Sequence, residues 1–374
     1  MLDYRLCSGW RILAPKRNFC STRRILDKEH LHFQDLKIVT PELVTAIRIT
    51  KKPDIPIALI PQHLQRLKHL ERIQFIDRSM KDIDRQQALF HALSTLPLKG
   101  LHLKSTLFRN QQQLYDFIRR FPTLVEVSCS DIRYAGRIPG QYTGPLPLLP
   151  HLRRVNMDGG LWLAALNGTF GSINKLQKVT ALDVHFDDIP KVSQFLQKTV
   201  KNLSEFNIRH LHKIEGKVSR AWASWRPEPF VLSHLKTLGI DIHGRERVTG
   251  LHVRAMTNLL GWWMQSLEKI VKENTVSPLE RLTIILGLYR TDYILKHSDE
   301  MWATLDRLLT QDQFPEFRSL RVIIKAYQPV SVQGAMQRTR MIVKQCPRLG
   351  GRLTVSVVEG NVISGKAHFY NIEG

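Results

Sequence analysis

This sequence predicts an α/β fold built from stacked strand–helix units, on three observations. A short pattern, L-x-x-φ-x-φ with φ apolar, recurs along the chain. Amphipathic helical stripes lie between its copies. Prolines stand just before several of them. The pattern is clearest at Leu203-Ser204-Glu205-Phe206-Asn207-Ile208. It returns at Leu70–Phe75, Leu98–Leu103, Leu124–Cys129, Leu152–Met157, Val179–Val184, Leu235–Ile240 and Leu279–Ile284. Leu320–Ile324 and Leu353–Val357 are looser copies.

In a strand, side chains alternate faces, so the fourth and sixth positions of the pattern point into one core and the fifth points away. Early copies start about 24–28 residues apart and later ones about 30–44, around the leucine-rich-repeat period of about 20–29. The expected architecture is therefore an irregular leucine-rich-repeat solenoid, with parallel strands on the concave face and helices on the convex face. A doubly wound sheet also alternates strands with helices. Its strands would be continuous Val/Ile runs, and none is present here.

The inter-strand segments carry the helical period. Leu89, Ala92, Leu93 and Leu96 follow it, as do Leu114, Phe117, Ile118 and Phe121 with Asn110 placed as N-cap. Val192, Phe195, Leu196 and Val200 form a third stripe. A long helix is predicted over 248–272, with Trp262 and Trp263 as core anchors. Trp302, Leu305, Leu308 and Leu309 mark the next helix, and Met336, Thr339, Val343 and Cys346 the last. Pro122, Pro150, Pro278 and Pro347 end helices ahead of strands. Gly360-Asn361, between Leu353–Val357 and Val362–Ser364, predicts a closing hairpin.

Residues 1–30 read as a separate basic segment, and 31–374 as the repeat domain. Arg5, Arg11, Lys16, Arg17, Arg23 and Arg24 face one early acid, Asp3, and Leu6, Trp10 and Leu13 have helical spacing. A docked amphipathic helix is the expectation, with a mitochondrial presequence as its rival. Leu36–Val39 and Ala46–Ile49 are candidate first strands.

Composition bounds the function. The 374 residues include 55 basic and 33 acidic side chains, a net charge of +22. That balance invites a nucleic-acid or anionic-membrane partner. Four widely spaced cysteines form no C-x-x-C pair and favour a reducing compartment, cytoplasmic or nuclear. No phosphate loop, H-E-x-x-H or G-x-S-x-G is present, so no catalytic residue, metal or cofactor is predicted. His30-x-His32 and His210-x-His212 lack a second ligand pair and read as packed or solvated histidines.

On the strand face turned from the core, the third, fifth and seventh positions are Arg72 and Gln74; His102 and Lys104; Glu126, Ser128 and Ser130; Arg154, Asn156 and Asp158; Asp183 and His185; Glu205, Asn207 and Arg209; Asp241; Arg281 and Thr283. This set is polar and mixed in sign. A phosphate-tracking surface would be mostly Lys and Arg. A protein or peptide partner is therefore expected, held by Arg154, Asn156, Asp158, Asp183, His185, Asn207, Arg209 and Asp241.

The turns Phe121-Pro122-Thr123-Leu124 and Leu149-Pro150-His151-Leu152, with the strands that follow them, resemble the basidiomycete-type fungal F-box proteins with irregular leucine-rich repeats. The resemblance runs from about Phe33 to Val358. Leu6-Cys7-Ser8-Gly9-Trp10-Arg11-Ile12-Leu13-Ala14 is similar to the last F-box helix. The earlier F-box helices, with their Leu-Pro opening, have no counterpart in this sequence, and they carry most of the family's contact with a Skp-type adaptor. The resemblance implies a non-enzymatic substrate receptor of a cullin-type (SCF) ubiquitin ligase that captures a protein substrate.

Overall fold

The computed structural model describes residues 10–12, 46–49, 68–77, 79–80, 87–135, 149–158, 175–184, 188–199, 202–212, 228–229, 232–244, 250–288, 299–327, 332–360 and 367–372. The chain forms two compact units, Met1–Ile173 and Asn174–Gly374. The sequence had placed its only boundary at residue 30.

In the first unit the strands are β1 (Trp10–Ile12), β2 (Ala46–Ile49), β3 (Arg72–Ile76), β4 (Gly100–Lys104), β5 (Leu107–Phe108), β6 (Glu126–Ser130), β7 (Arg133–Tyr134) and β8 (Arg154–Asp158). The strands β2, β3, β4, β6 and β8 pair in parallel in that order, while β5 and β7 pair as a separate short sheet. The second unit holds β9 (Lys178–Val184), β10 (Glu205–His212), β11 (Thr237–Gly244), β12 (Arg281–Leu288), β13 (Ser319–Tyr327), β14 (Leu353–Gly360) and β15 (Ala367–Ile372). These pair in sequence order, parallel except for the β14–β15 hairpin.

The alternation in the sequence accounts for the core. Ile73, Leu101, Val127 and Val155 stand in one register and are buried, as are Phe75, Leu103, Cys129 and Met157. In the second unit Val179, Phe206, Leu238, Leu282 and Leu320 form the equivalent row. Strand entries repeat one hydrogen-bond device. Glu71 O accepts from both Lys99 N and Gly100 N, and Lys99 O from both Val125 N and Glu126 N. Ser204 O and Lys236 O do the same for the two strands after theirs. One carbonyl with two lone pairs thus fixes the register of each added strand.

The helices are α1 (Gln87–Ser94), α2 (Gln111–Arg119), α3 (Ile189–Thr199), α4 (Gly250–Lys272), α5 (Asp299–Leu309) and α6 (Val332–Gln345). In α2, Asn110 Oδ1 accepts from Gln113 N at 2.9 Å, as the capping pattern predicts. Gln113 Oε1 returns the bond by accepting from Arg109 N at 2.7 Å. Phe117 then meets Phe75, Phe108 and Phe121 at ring separations of 5.9, 6.0 and 5.3 Å. In α6 the buried stripe is Ala335, Thr339 and Ile342, continued by Cys346 just past its end. Thr339 and Cys346 are buried as predicted, while Met336 and Val343 lie at the half-buried margins and Ala335 and Ile342 take their places in the stripe.

A feature the sequence does not announce follows three successive strands. Asp77, Ser105 and Asp131 have φ of 52°, 51° and 53°. This left-handed residue ends each strand while Asp77 N and Ser105 N still reach Lys104 O and Ser130 O on the next. Left-handed backbone crowds a Cβ, and glycine escapes that cost. Ser105→Gly is expected to raise stability by up to about 1 kcal/mol, and Ser105→Val to lower it by about 1–2 kcal/mol. Denaturant melts of the two variants check this.

Two expectations need correction. Trp10–Ile12 is a strand, antiparallel to β2 with Trp10 opposite Ile49, and not part of a helix. Trp and Ile favour strands, and the open edge of β2 supplies a row of amide and carbonyl partners that outweighs a three-residue helical spacing. The closing hairpin exists, but its return strand is Ala367–Ile372, with Gly360 opposite Ala367. Val362–Ser364 and Leu36–Val39 lie outside the described residues.

Candidate functional site

In the first unit two polar rows cross the strands on the face opposite the core. Arg72, Gly100, Glu126 and Arg154 form one, and Gln74, His102, Ser128 and Asn156 the next. Gly100 makes room for its neighbour. A Cβ there would lie 2.9 Å from Arg72 Cγ, so the Arg72 stem crosses β4. Glu126 stands between His102 Nε2 at 3.8 Å and Arg154 Nη1 at 3.9 Å. Burial pulls the His102 pKa below its ordinary value, Glu126 opposes this, and Arg72 adds to it. His102 is therefore a neutral hydrogen-bonding group at neutral pH, not a cation. Asn156 Oδ1 is shielded and has no hydrogen-bond partner among the described residues. Asp158 closes β8, and its side chain lies outside the described ones.

The second unit carries a connected polar chain. Lys178 Nζ lies 2.6 Å from Glu205 Oε1, which also accepts from Asn207 Nδ2 at 2.9 Å. The Asn207 carboxamide lies over Gly239 on β11, where a Cβ would fall 2.1 Å from Oδ1. Arg209 continues this face of β10 as a half-buried residue. Asp241 Oδ2 accepts from Lys325 Nζ at 3.3 Å, an ion pair that reaches across β12. The bound carboxylate of Asp241 is thus part of the surface's own framework.

One frame was misread in the sequence. The copy placed at Val179–Val184 begins at Leu176, because Val179 and Ala181 pair with Phe206 and Ile208. Lys178 and Thr180 then hold the third and fifth positions. A bulge follows, with Leu182 and Asp183 together opposite Arg209, and it returns Val184 to the core beside His210. Asp183 sits in that bulge, and its side chain and the whole of His185 lie outside the described residues. Of the eight expected residues, the structure brings Arg154 and Asn156 together on one unit, and Asn207, Arg209 and Asp241 on the other. Sequence reasoning missed Lys178, Arg321 and Lys325, which lie in the misframed copy and in one of the looser ones.

His210 is fully buried, and its Nε2 accepts from Trp263 Nε1 at 3.2 Å. It belongs to the core and not to a metal pair. Among the described residues no group of three or more His, Cys, Asp or Glu side chains could hold a metal ion, and no helix is long and apolar enough to cross a membrane. Cys129 and Cys346 are buried thiols. Compared with protein-family models the chain matches none, and compared with curated proteins it matches none.

Proposed function

We propose that the chain is a non-enzymatic protein-recognition scaffold, an irregular leucine-rich-repeat solenoid whose strand face captures a folded protein or an extended peptide. The observation that supports this reading is the placement of polar, mixed-sign side chains in register on one face of successive parallel strands, over a sealed core. Such rows offer many separately weak hydrogen bonds and charge pairs on a rigid floor, which suits the polar surface of a protein. The resemblance of the repeats to fungal F-box proteins adds a role: substrate receptor of a cullin-type ligase, reached through a Skp-type adaptor. A second reading, a basic nucleic-acid or anionic-membrane binder, rests on the net charge of +22.

Replacing Arg154, Asn156, Asn207 and Arg209 together by Ala tests the first reading. The expected outcome is a fold preserved in thermal melts and a loss of partner proteins in affinity capture. Recovery of a Skp-type adaptor and a cullin alongside the wild type supports the ligase role. Capture unchanged by the four substitutions counts against the scaffold. Binding to DNA, RNA or anionic vesicles that falls steeply with salt supports the second reading.

A further inference from the structure

The second unit presents a narrower surface than the eight expected residues describe. On β12 the outward side chains include Arg281 and Ile285, and on β13 Arg321 and Ile323. Ile285 and Ile323 are register partners, half-buried and side by side, in a row that runs from Asp241 on β11 to buried Ser356 on β14. Among the described residues the acids on these and the preceding strands are already engaged: Glu205 with Lys178, Glu280 with Lys236 and Asp241 with Lys325. Arg281 and Arg321 are exposed and have no ion-pair partner among the described residues. The charge left unanswered beside the isoleucine pair is therefore positive.

We propose that this face of β12 and β13 docks an acidic, extended segment of a partner protein, with carboxylates on Arg281 and Arg321 and an aliphatic side chain on Ile285 and Ile323. The inference rests on the scaffold reading and names its partner class. Arg321 and Ile323 are two residues apart on one strand face, about 6.6 Å at a strand rise of about 3.3 Å. An extended peptide with Asp or Glu at one position and Leu, Ile or Val two positions on repeats that spacing. A guanidinium can hold a carboxylate through two parallel hydrogen bonds. A phosphate backbone would answer the arginines and leave the isoleucine pair uncovered, so the apolar floor favours a peptide over a nucleic acid.

Fluorescence anisotropy with the full chain tests this. The probes are a short labelled peptide with Glu and Leu alternating at every second position, a twin with each Leu replaced by Ser, a twin with each Glu replaced by Lys, and a short single-stranded DNA. The alternating peptide is expected to bind at least about tenfold more tightly than either twin. Arg281→Glu with Arg321→Glu, and separately Ile323→Ser, should each weaken it about tenfold with unchanged thermal melts. Equal binding by the Ser twin, displacement by the DNA, wild-type affinity in the double variant, or no binding by the alternating peptide overturns the proposal. If the chain still captures partner proteins through Arg154, Asn156, Asn207 and Arg209, only the acidic-segment inference falls. If capture fails as well, the scaffold reading falls with it.

Discussion

Trp263→Ala is expected to cost about 3–5 kcal/mol, near the limit a single core truncation reaches. Trp263 is fully buried in α4 and is the point where the helix meets the strands. Its ring lies 6.4 Å from Phe206, 6.1 Å from His210 and 4.9 Å from Trp262. Truncation opens a cavity between these rings and also removes the donor to His210 Nε2. Trp263→Phe should cost clearly less, because it keeps a six-membered ring in the packing and loses the pyrrole ring with its N–H. Phe206→Ala, one ring away, should again cost about 3–5 kcal/mol. Denaturant melts rank the three. A Trp263→Ala loss no larger than that of Trp263→Phe would mean that the helix does not seat on these strands.

The same contact makes stability depend on pH. Burial pushes the His210 pKa down to about 3, against an unfolded value of about 6.5. Between these values the unfolded chain binds a proton that the folded chain refuses. Stability is therefore full above about pH 6.5 and falls as pH drops toward 3, by about 1.4 kcal/mol per pH unit within that window. His234, in the turn before β11, is pushed down to about 4 by the same cause and acts in the same direction. His210→Gln keeps an acceptor for Trp263 Nε1 and removes the titration. Its stability loss between pH 7 and 5 should be shallower than that of the wild type.

The parallel strands β3, β4, β6, β8 and β10–β14 were legible in the sequence because each carries its own leading leucine and alternation, which are local signals; β5, β7 and β15 carry no such signal and were not. Leu98, Leu101 and Leu103, for example, are all buried where the pattern puts them. The frame failed at β9 because Val179, Ala181, Leu182 and Val184 support two alternations, and only pairing with β10 selects one. The helices were legible from their stripes, down to the Asn110 cap. The ion pair of Asp241 and Lys325 was not legible, since its members are 84 residues apart and meet only once three strands are aligned. The polar rows of the candidate surface followed from the strand pattern. The positive surplus beside Ile285 and Ile323 needed the acids to be matched with their lysines first.

Asp306→Ala is expected to cost about 3 kcal/mol, although sequence reasoning passes over this residue. Charged side chains on helices are usually solvated, and Asp306 sits in α5 among Trp302, Leu305, Leu308 and Leu309. It is only 3% exposed. Its Oδ1 accepts from Leu349 N at 2.8 Å and its Oδ2 from Arg348 N at 3.2 Å, in the turn that leads to β14. A carboxylate that satisfies two backbone donors fixes the entry of the last parallel strand. Its removal leaves both donors unanswered, one of them buried, and each unsatisfied buried donor costs about 1–3 kcal/mol. Asp306→Asn keeps the shape and one acceptor oxygen, and should lose about half as much. Cys346 gives an independent readout. Its thiol donates to Trp302 O at 3.5 Å, and burial together with the Asp306 charge pushes its pKa up to about 12. At mildly alkaline pH this thiol should resist alkylation in the wild type, since the thiolate is the reactive form. In Asp306→Ala it should become labelled faster, as the turn opens and the charge that suppressed ionisation is gone. Alkylation unchanged in a variant that has lost stability would show that the turn holds without its carboxylate, and would shift the loss to the helix itself.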